Sequence, residues 1–130
     1  MAEGLLRDMA NKKGLSLEVK SAGTFAMDGV GAAENAILAL KELDINISDH
    51  KAQSLSRGLV EEADLILTMS RSHKESLLLK YPHIKDKVYL LNEYAFGEVR
   101  DIQDPFGRDE YNYKLVRDEI LKALENIKWD

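Results

Sequence analysis

Apolar residues at the start of the chain recur every three or four positions, at Met1, Leu5, Leu6 and Met9, which is the spacing of one helix face. They predict a helix over Met1–Lys13, with Gly14 as its C-terminal stop because glycine accepts the left-handed backbone found past helix ends. Leu15, Leu17 and Val19 then alternate with polar residues, the pattern of a half-buried strand, and Ser21-Ala22-Gly23 closes it. A loop carrying Gly29 and Gly31 leads into a predicted helix over Ala32–Leu43 with Ala33, Ile37 and Leu40 toward the core. After a short segment holding Ile45 and Ile47, Ser56 is placed to cap a short helix through Ala63. Asp64–Met69 is almost unbroken in its apolar character, as expected of a strand covered on both faces in a parallel sheet. Ser72-His73-Lys74-Glu75 has the spacing of a capping box. It opens a helix whose apolar face is Leu77, Leu78 and Leu79, with Pro82 beyond its end. Val88–Leu91 reads as a third strand, and Asn92–Asp109 as a long loop of the kind that carries function in compact domains. Tyr113, Val116, Ile120, Leu124 and Ile127 fall at helical spacing within Glu110–Lys128. Strands alternating with helices predict an α/β sandwich around a mostly parallel sheet, whose site lies beyond the carboxyl ends of its strands.

At 130 residues the chain is expected to form one domain, residues 1–130. Charge narrows the partners. A formal net charge of -5 argues against nucleic acid or an anionic membrane surface, both of which select basic proteins. No apolar run has the length of a membrane span, and Met1–Lys13 mixes acids with bases rather than showing the charged head and apolar middle of a secretory signal. There is no cysteine, which removes disulfides, thiolate metal sites and cysteine nucleophiles from these residues and fits a cytoplasmic protein. Nothing in the pattern calls for a metal or another cofactor.

The most chemically suggestive stretch is Asp104-Pro105-Phe106-Gly107. Taken alone it is a favoured type I turn. Taken with Met1-Ala2-Glu3, Ser21-Ala22-Gly23, Ala63-Asp64-Leu65-Ile66-Leu67-Thr68-Met69 and His73, it stands in an order that resembles the low-molecular-weight protein tyrosine phosphatases along the whole chain. Asp86-Lys87-Val88-Tyr89, Glu93-Tyr94 and the Asp-Pro-Phe-Gly loop are most similar to the bacterial protein arginine phosphatases within that family.

The resemblance implies a three-layer α/β sandwich with a mostly parallel four-stranded sheet. It also implies that the family's central first strand, and the phosphate-binding loop of pattern C-x-x-x-x-x-R that follows it, fall upstream of Met1. In the family that loop cradles phosphate with backbone N–H groups, supplies a thiolate that attacks phosphorus, and clamps the transition state with arginine. Asp104 then matches the general acid, which protonates the leaving group and afterwards activates water. Phe106 and Phe25 match walls of the substrate slot. Ser21 and His73 match residues that brace the phosphate loop, while His50 and His83 read as surface residues. Tyr111 and Tyr113 open the last helix where some relatives carry regulatory tyrosines. The implied partner is a phosphorylated protein, with self-association through exposed sheet edges as a further expectation. Three functions follow from the resemblance: a phosphoarginine or phosphotyrosine phosphatase working through a cysteinyl-phosphate and inactive as these residues alone, a non-catalytic phosphoprotein-binding module, or the arsenate reductase that shares the fold. The last passes electrons through additional cysteines, and none is present.

Overall fold

The computed structural model describes residues 1–23, 29 and 31–129. The opening helix forms as its periodicity requires: α1 spans Ala2–Lys13, Gly14 follows it at φ 66°, and the Gly14 N–H returns to Ala10 and Asn11. Glu3 lies in its first turn and Lys12 and Lys13 in its last, each with the sign that complements the helix dipole. Helix α2 is Glu34–Lys41 and α3 is Arg57–Glu62, the latter capped by Ser56, whose hydroxyl accepts from the Leu59 N–H. Strand β1 (Ile66–Thr68) leads into α4 (Arg71–Lys80), a 3₁₀ turn over Pro82–Lys87, and β2 (Val88–Leu90). Helices α5 (Leu91–Phe96) and α6 (Glu110–Glu125) complete the order.

The two strands pair in parallel, Ile66 with Val88, Leu67 with Tyr89 and Thr68 with Leu90. Helices cover both faces. Leu67 and Met69 pack on a cluster built from Leu5, Met9, Leu40, Leu91, Tyr113 and Leu124. Ile66 packs on a second cluster of Val60, Leu77, Tyr81, Ile84 and Val88. This is the helix–sheet–helix layering of an α/β sandwich.

Several elements depart from the pattern-based reading, each for a physical reason. Residues 15–20 do not form a strand. The chain beyond them is drawn to another partner: Gly23 donates to the Gln53 carbonyl, its own carbonyl accepts from Leu55, and the Gln53 amide donates to the Ser21 carbonyl. Leu65–Met69 is half-buried rather than buried, because among the described residues β1 has a ladder on one edge only. The cap of α4 is Ser70, whose hydroxyl accepts from the His73 N–H, so Ser72 already lies inside the helix. Leu79 is 85% exposed while Leu77 is buried, since three consecutive residues cover most of a helix circumference and cannot share one face. In α2 the buried residues are Ala36, Ala39 and Leu40, with Ala33 exposed as the N-cap. The first part of the expected Asn92–Asp109 loop belongs to α5, where the Glu93 carboxylate caps the free Leu90 N–H at 3.2 Å. Its apolar N-cap hides that helix from sequence inspection.

Candidate functional site

Asp104 sits where a parallel sheet places its chemistry. The segment leading to it hangs from the carboxyl end of β1, through a hydrogen bond from the Ile102 N–H to the Met69 carbonyl at 2.7 Å, with the Ile102 side chain buried. Two further ties fasten this approach. Asp101 Oδ1 accepts from the Arg71 backbone N–H at 2.9 Å and from Arg71 Nε at 3.3 Å, and the Asn92 side-chain amide donates to the Arg100 carbonyl at 3.1 Å. The N–H of Arg71 is the main reason the Asp101 carboxyl is held below its ordinary range. Downstream, Asp109 caps α6 by accepting from Asn112, and the Asn35 amide donates to the Arg108 carbonyl at 3.1 Å.

Between these anchors lies the turn. Asp104 Oδ1 accepts from the Phe106 N–H at 3.0 Å, Arg108 donates to the Pro105 carbonyl at 2.8 Å, and Gly107 adopts φ 79°, a conformation glycine takes without steric cost. Pro105 is buried beneath, whereas Asp104 is exposed and Phe106 is 80% exposed. One carboxylate oxygen thus holds the turn, and the side chain remains open to solvent. Tyr113 lies close enough to feel it: burial first, and the Asp104 charge second, push the Tyr113 phenol above its ordinary value. A carboxylate presented this way can donate or accept a proton at a substrate lying over the turn.

A second polar cluster surrounds Glu3 in the first turn of α1. Glu3 Oε1 accepts from the Ser21 hydroxyl at 3.2 Å, Glu3 Oε2 meets His50 Nδ1 at 3.1 Å, and Arg7 lies 3.6 Å from the same carboxylate. Arg7 also donates to the Val19 carbonyl. The Glu3 side chain is only 14% exposed, so these partners offset the cost of removing its charge from water. Ser21 is therefore oriented by Glu3, which His50 engages as well.

His73 is exposed and turns its Nδ1 toward the Ser70 hydroxyl at 3.0 Å within its own helix cap. His50, read from the sequence as a surface residue, is half-buried in the Glu3 cluster. Its partner Glu3 lies 47 positions away in sequence, so no local pattern marked it. Phe25 lies outside the described residues. Among the described residues no group of His, Asp and Glu is arranged to hold a metal ion. Clefts of about 330 and 270 Å³ lie away from Asp104. One runs between α1 and α6 and the other beside Phe96 and Glu119, so cavity size does not mark the candidate site.

Comparison with known proteins agrees with this architecture. The profile of the low molecular weight phosphotyrosine protein phosphatases matches residues 1–128. A protein-arginine-phosphatase of Bacillus subtilis is 38% identical over 127 residues, covering 98% of this chain and 84% of the relative. A protein-arginine-phosphatase of Geobacillus stearothermophilus is 35% identical, covering 98% of this chain and 83% of the relative. Among solved structures, a cysteine-to-serine mutant of the YwlE arginine phosphatase with a phosphorylated active-site serine superposes with TM-score 0.93 at 38% identity, over 96% of this chain and 82% of that one. The chain belongs to the low molecular weight phosphotyrosine protein phosphatase family.

Proposed function

We propose that this chain is the body of a phosphatase acting on phosphorylated proteins, on phosphoarginine in preference to phosphotyrosine, with Asp104 as its general acid and base. The observation that carries the reading is the placement of Asp104: an exposed carboxylate on an ordered turn at the carboxyl end of β1, fastened on both sides. In the two-step chemistry the family implies, a thiolate forms a bond to phosphorus as the bond to the leaving group breaks. Asp104 donates its proton to the departing nitrogen or oxygen. It then takes a proton from the water that releases phosphate from sulfur. Preference for phosphoarginine is supported by the two arginine-phosphatase relatives and by Gly107 and Arg108 after Phe106, which provide no second aromatic to enclose a flat phenyl ring. Ser21 acts as a brace for the phosphate-binding segment through its bond to Glu3. His73, whose Nδ1 is engaged by the Ser70 hydroxyl, is the second proposed brace, through its remaining ring nitrogen. Phe106 and Phe25 are the proposed walls of the substrate slot.

These 130 residues contain no cysteine, so the chain by itself lacks the thiolate and is expected to turn over neither phosphoarginine nor an aryl phosphate. The assay compares it with an Asp104→Ala variant. Hydrolysis that depends on Asp104 in the cysteine-free chain would overturn the assignment of roles. Joined in frame to a family segment bearing the cysteine and arginine, the chain should gain activity, and Asp104→Asn should then lower kcat by roughly 10²–10⁴. A strong phosphotyrosine preference in that joined protein would refute the arginine assignment alone.

The absence of a thiolate within these residues also supports a second reading, a non-catalytic module that binds phosphoproteins. Measurable affinity of the unextended chain for a phosphoarginine peptide, lost on adding inorganic phosphate, would favour it. A cytoplasmic location is part of the proposal. No helix among the described residues is long and apolar enough to cross a membrane.

A further inference from the structure

We propose that the cleft between α5 and α6 binds a free amino acid with an apolar side chain, its ammonium held by Asn92 Oδ1 and Glu119 and its carboxylate by Lys122. The cleft has a volume of about 270 Å³ and is lined by Asn92, Phe96, Glu98, Arg100, Glu119 and Lys122. Asn92 is 1% exposed. Its side-chain nitrogen donates to the Arg100 carbonyl at 3.1 Å, and that acceptor settles which end of the amide is nitrogen and which is oxygen. Among the described residues Oδ1 has no hydrogen-bond partner. A buried carbonyl oxygen without a donor lowers stability and is uncommon in native proteins, so this wall of the cleft is short of one N–H or O–H group. A single water would fill only a small part of the space, since its share of liquid volume is about 30 Å³.

The charges around the cleft set the chemistry of the missing group. On the rim, Glu98 and Arg100 meet each other, Oε2 to Nε, at 3.5 Å. Glu119 and Lys122 stand three residues apart on α6, at neighbouring positions of its surface. Neither side chain forms an ion pair or hydrogen bond among the described residues. The cleft therefore offers one anion, one cation and one buried acceptor without partners, beside the ring of Phe96. A lone cation entering it would meet Lys122, and a lone anion would meet Glu119. A molecule carrying both charges answers each. An ammonium donates to Asn92 Oδ1 and Glu119 as charge-assisted hydrogen bonds, and a carboxylate accepts from Lys122. An α-amino acid carries both groups on one carbon, and an apolar side chain then packs on Phe96. Binding of this kind goes beyond the phosphatase reading and does not depend on the role of Asp104.

The test titrates the full chain calorimetrically with three compounds. The first is L-leucine. The second is leucinamide, which keeps the ammonium and stands for the N-terminus of a peptide. The third is 4-methylpentanoate, which keeps the carboxylate. L-leucine should bind at one per chain, and each analogue about tenfold more weakly or worse, the effect of losing one charge-assisted contact. Glu119→Gln should weaken L-leucine by about tenfold, and Lys122→Met should bring it down to the affinity of leucinamide. Both positions reach solvent, so these variants keep the fold and decide the matter even if a third, Asn92→Ala, does not fold. A folded Asn92→Ala should lose binding. Leucinamide binding as tightly as L-leucine would overturn the proposal in favour of a peptide N-terminus. Unchanged L-leucine affinity in both charge variants would overturn it as well. So would the absence of L-leucine binding up to about 10 mM, which leaves the Asn92 oxygen to water alone.

Discussion

Glu93 is a single side chain with two tasks. Its Oε1 accepts from Lys74 at 2.9 Å, tying α5 to α4, and from the Leu90 N–H, capping α5. The Lys74 ammonium first, and the Leu90 N–H second, hold its carboxyl below the usual carboxylate range. A carboxyl whose folded value is depressed stabilises the fold above its unfolded titration range, and the contribution is lost as pH falls through the folded value. Glu93→Gln should therefore lower stability by about 1 kcal/mol at pH 7, a figure that already allows for solvent screening. The gap between the two proteins should narrow as pH falls below the ordinary glutamate range and close once it passes the depressed folded value. Urea titrations at neutral pH and in acid measure it, and a gap that persists in acid would show that charge is not the cause. Asp104 and Glu3 illustrate two other fates of a carboxylate in this fold. The first is open to solvent on a turn; the second is nearly buried and shared by Ser21, His50 and Arg7. Residue type alone does not distinguish these fates.

At the scale of elements, periodicity was a sound guide where a helix is long. Helix α6 buries Tyr113, Ile120 and Leu124, three of the residues its spacing marks. It also buries Arg117, which no apolar pattern marks. The guanidinium donates to the Ala39 carbonyl at 2.7 Å and meets Glu42 and Asp118, locking α6 to α2. The small side chains Ala36 and Ala39 let the two helices approach, which is why α2 buries these rather than Ala33 and Ile37. Helix α4 supplies a direct comparison, since Leu77 is buried in the second core cluster and Leu79 is 85% exposed. Leu77→Ala should cost about 2–5 kcal/mol, whereas Leu79→Ala should fall within about 0.5 kcal/mol of the parent. Thermal or denaturant unfolding of the pair decides it, and similar losses at both sites would mean that the helix sits in another rotation.

At the scale of the whole molecule, the two core clusters meet at a sheet that has two strands among the described residues. Among the described residues β1 has a ladder partner on one side only, and residues 15–20 form no strand. Domain stability is only about 5–15 kcal/mol, and an unfilled sheet edge subtracts both hydrogen bonds and apolar burial from it. The isolated chain should accordingly bind an apolar-surface dye and unfold over a broad temperature range. A sharp, monomeric, dye-free transition would show that the edge carries no stability deficit.

The helices other than α5, the two strands that pair, the α/β class and the turn that presents Asp104 were legible in the sequence, because each rests on local spacing: every third or fourth residue on a helix face, apolar continuity in a buried strand, and Asp-Pro-x-Gly in a turn. Family membership was legible too, since it rests on the order of short motifs along the chain. What only the tertiary structure decided are the relations between distant residues. It drew Ser21–Gly23 to Gln53–Leu55, leaving an alternating apolar run without a ladder. It joined His50 and Ser21 through Glu3. It buried Arg117 against the carbonyl of a residue 78 positions away. A side chain's periodicity says which face of its own element it occupies, but its hydrogen-bond partner depends on which other element comes within about 3 Å, and that is set by the packing of the whole chain.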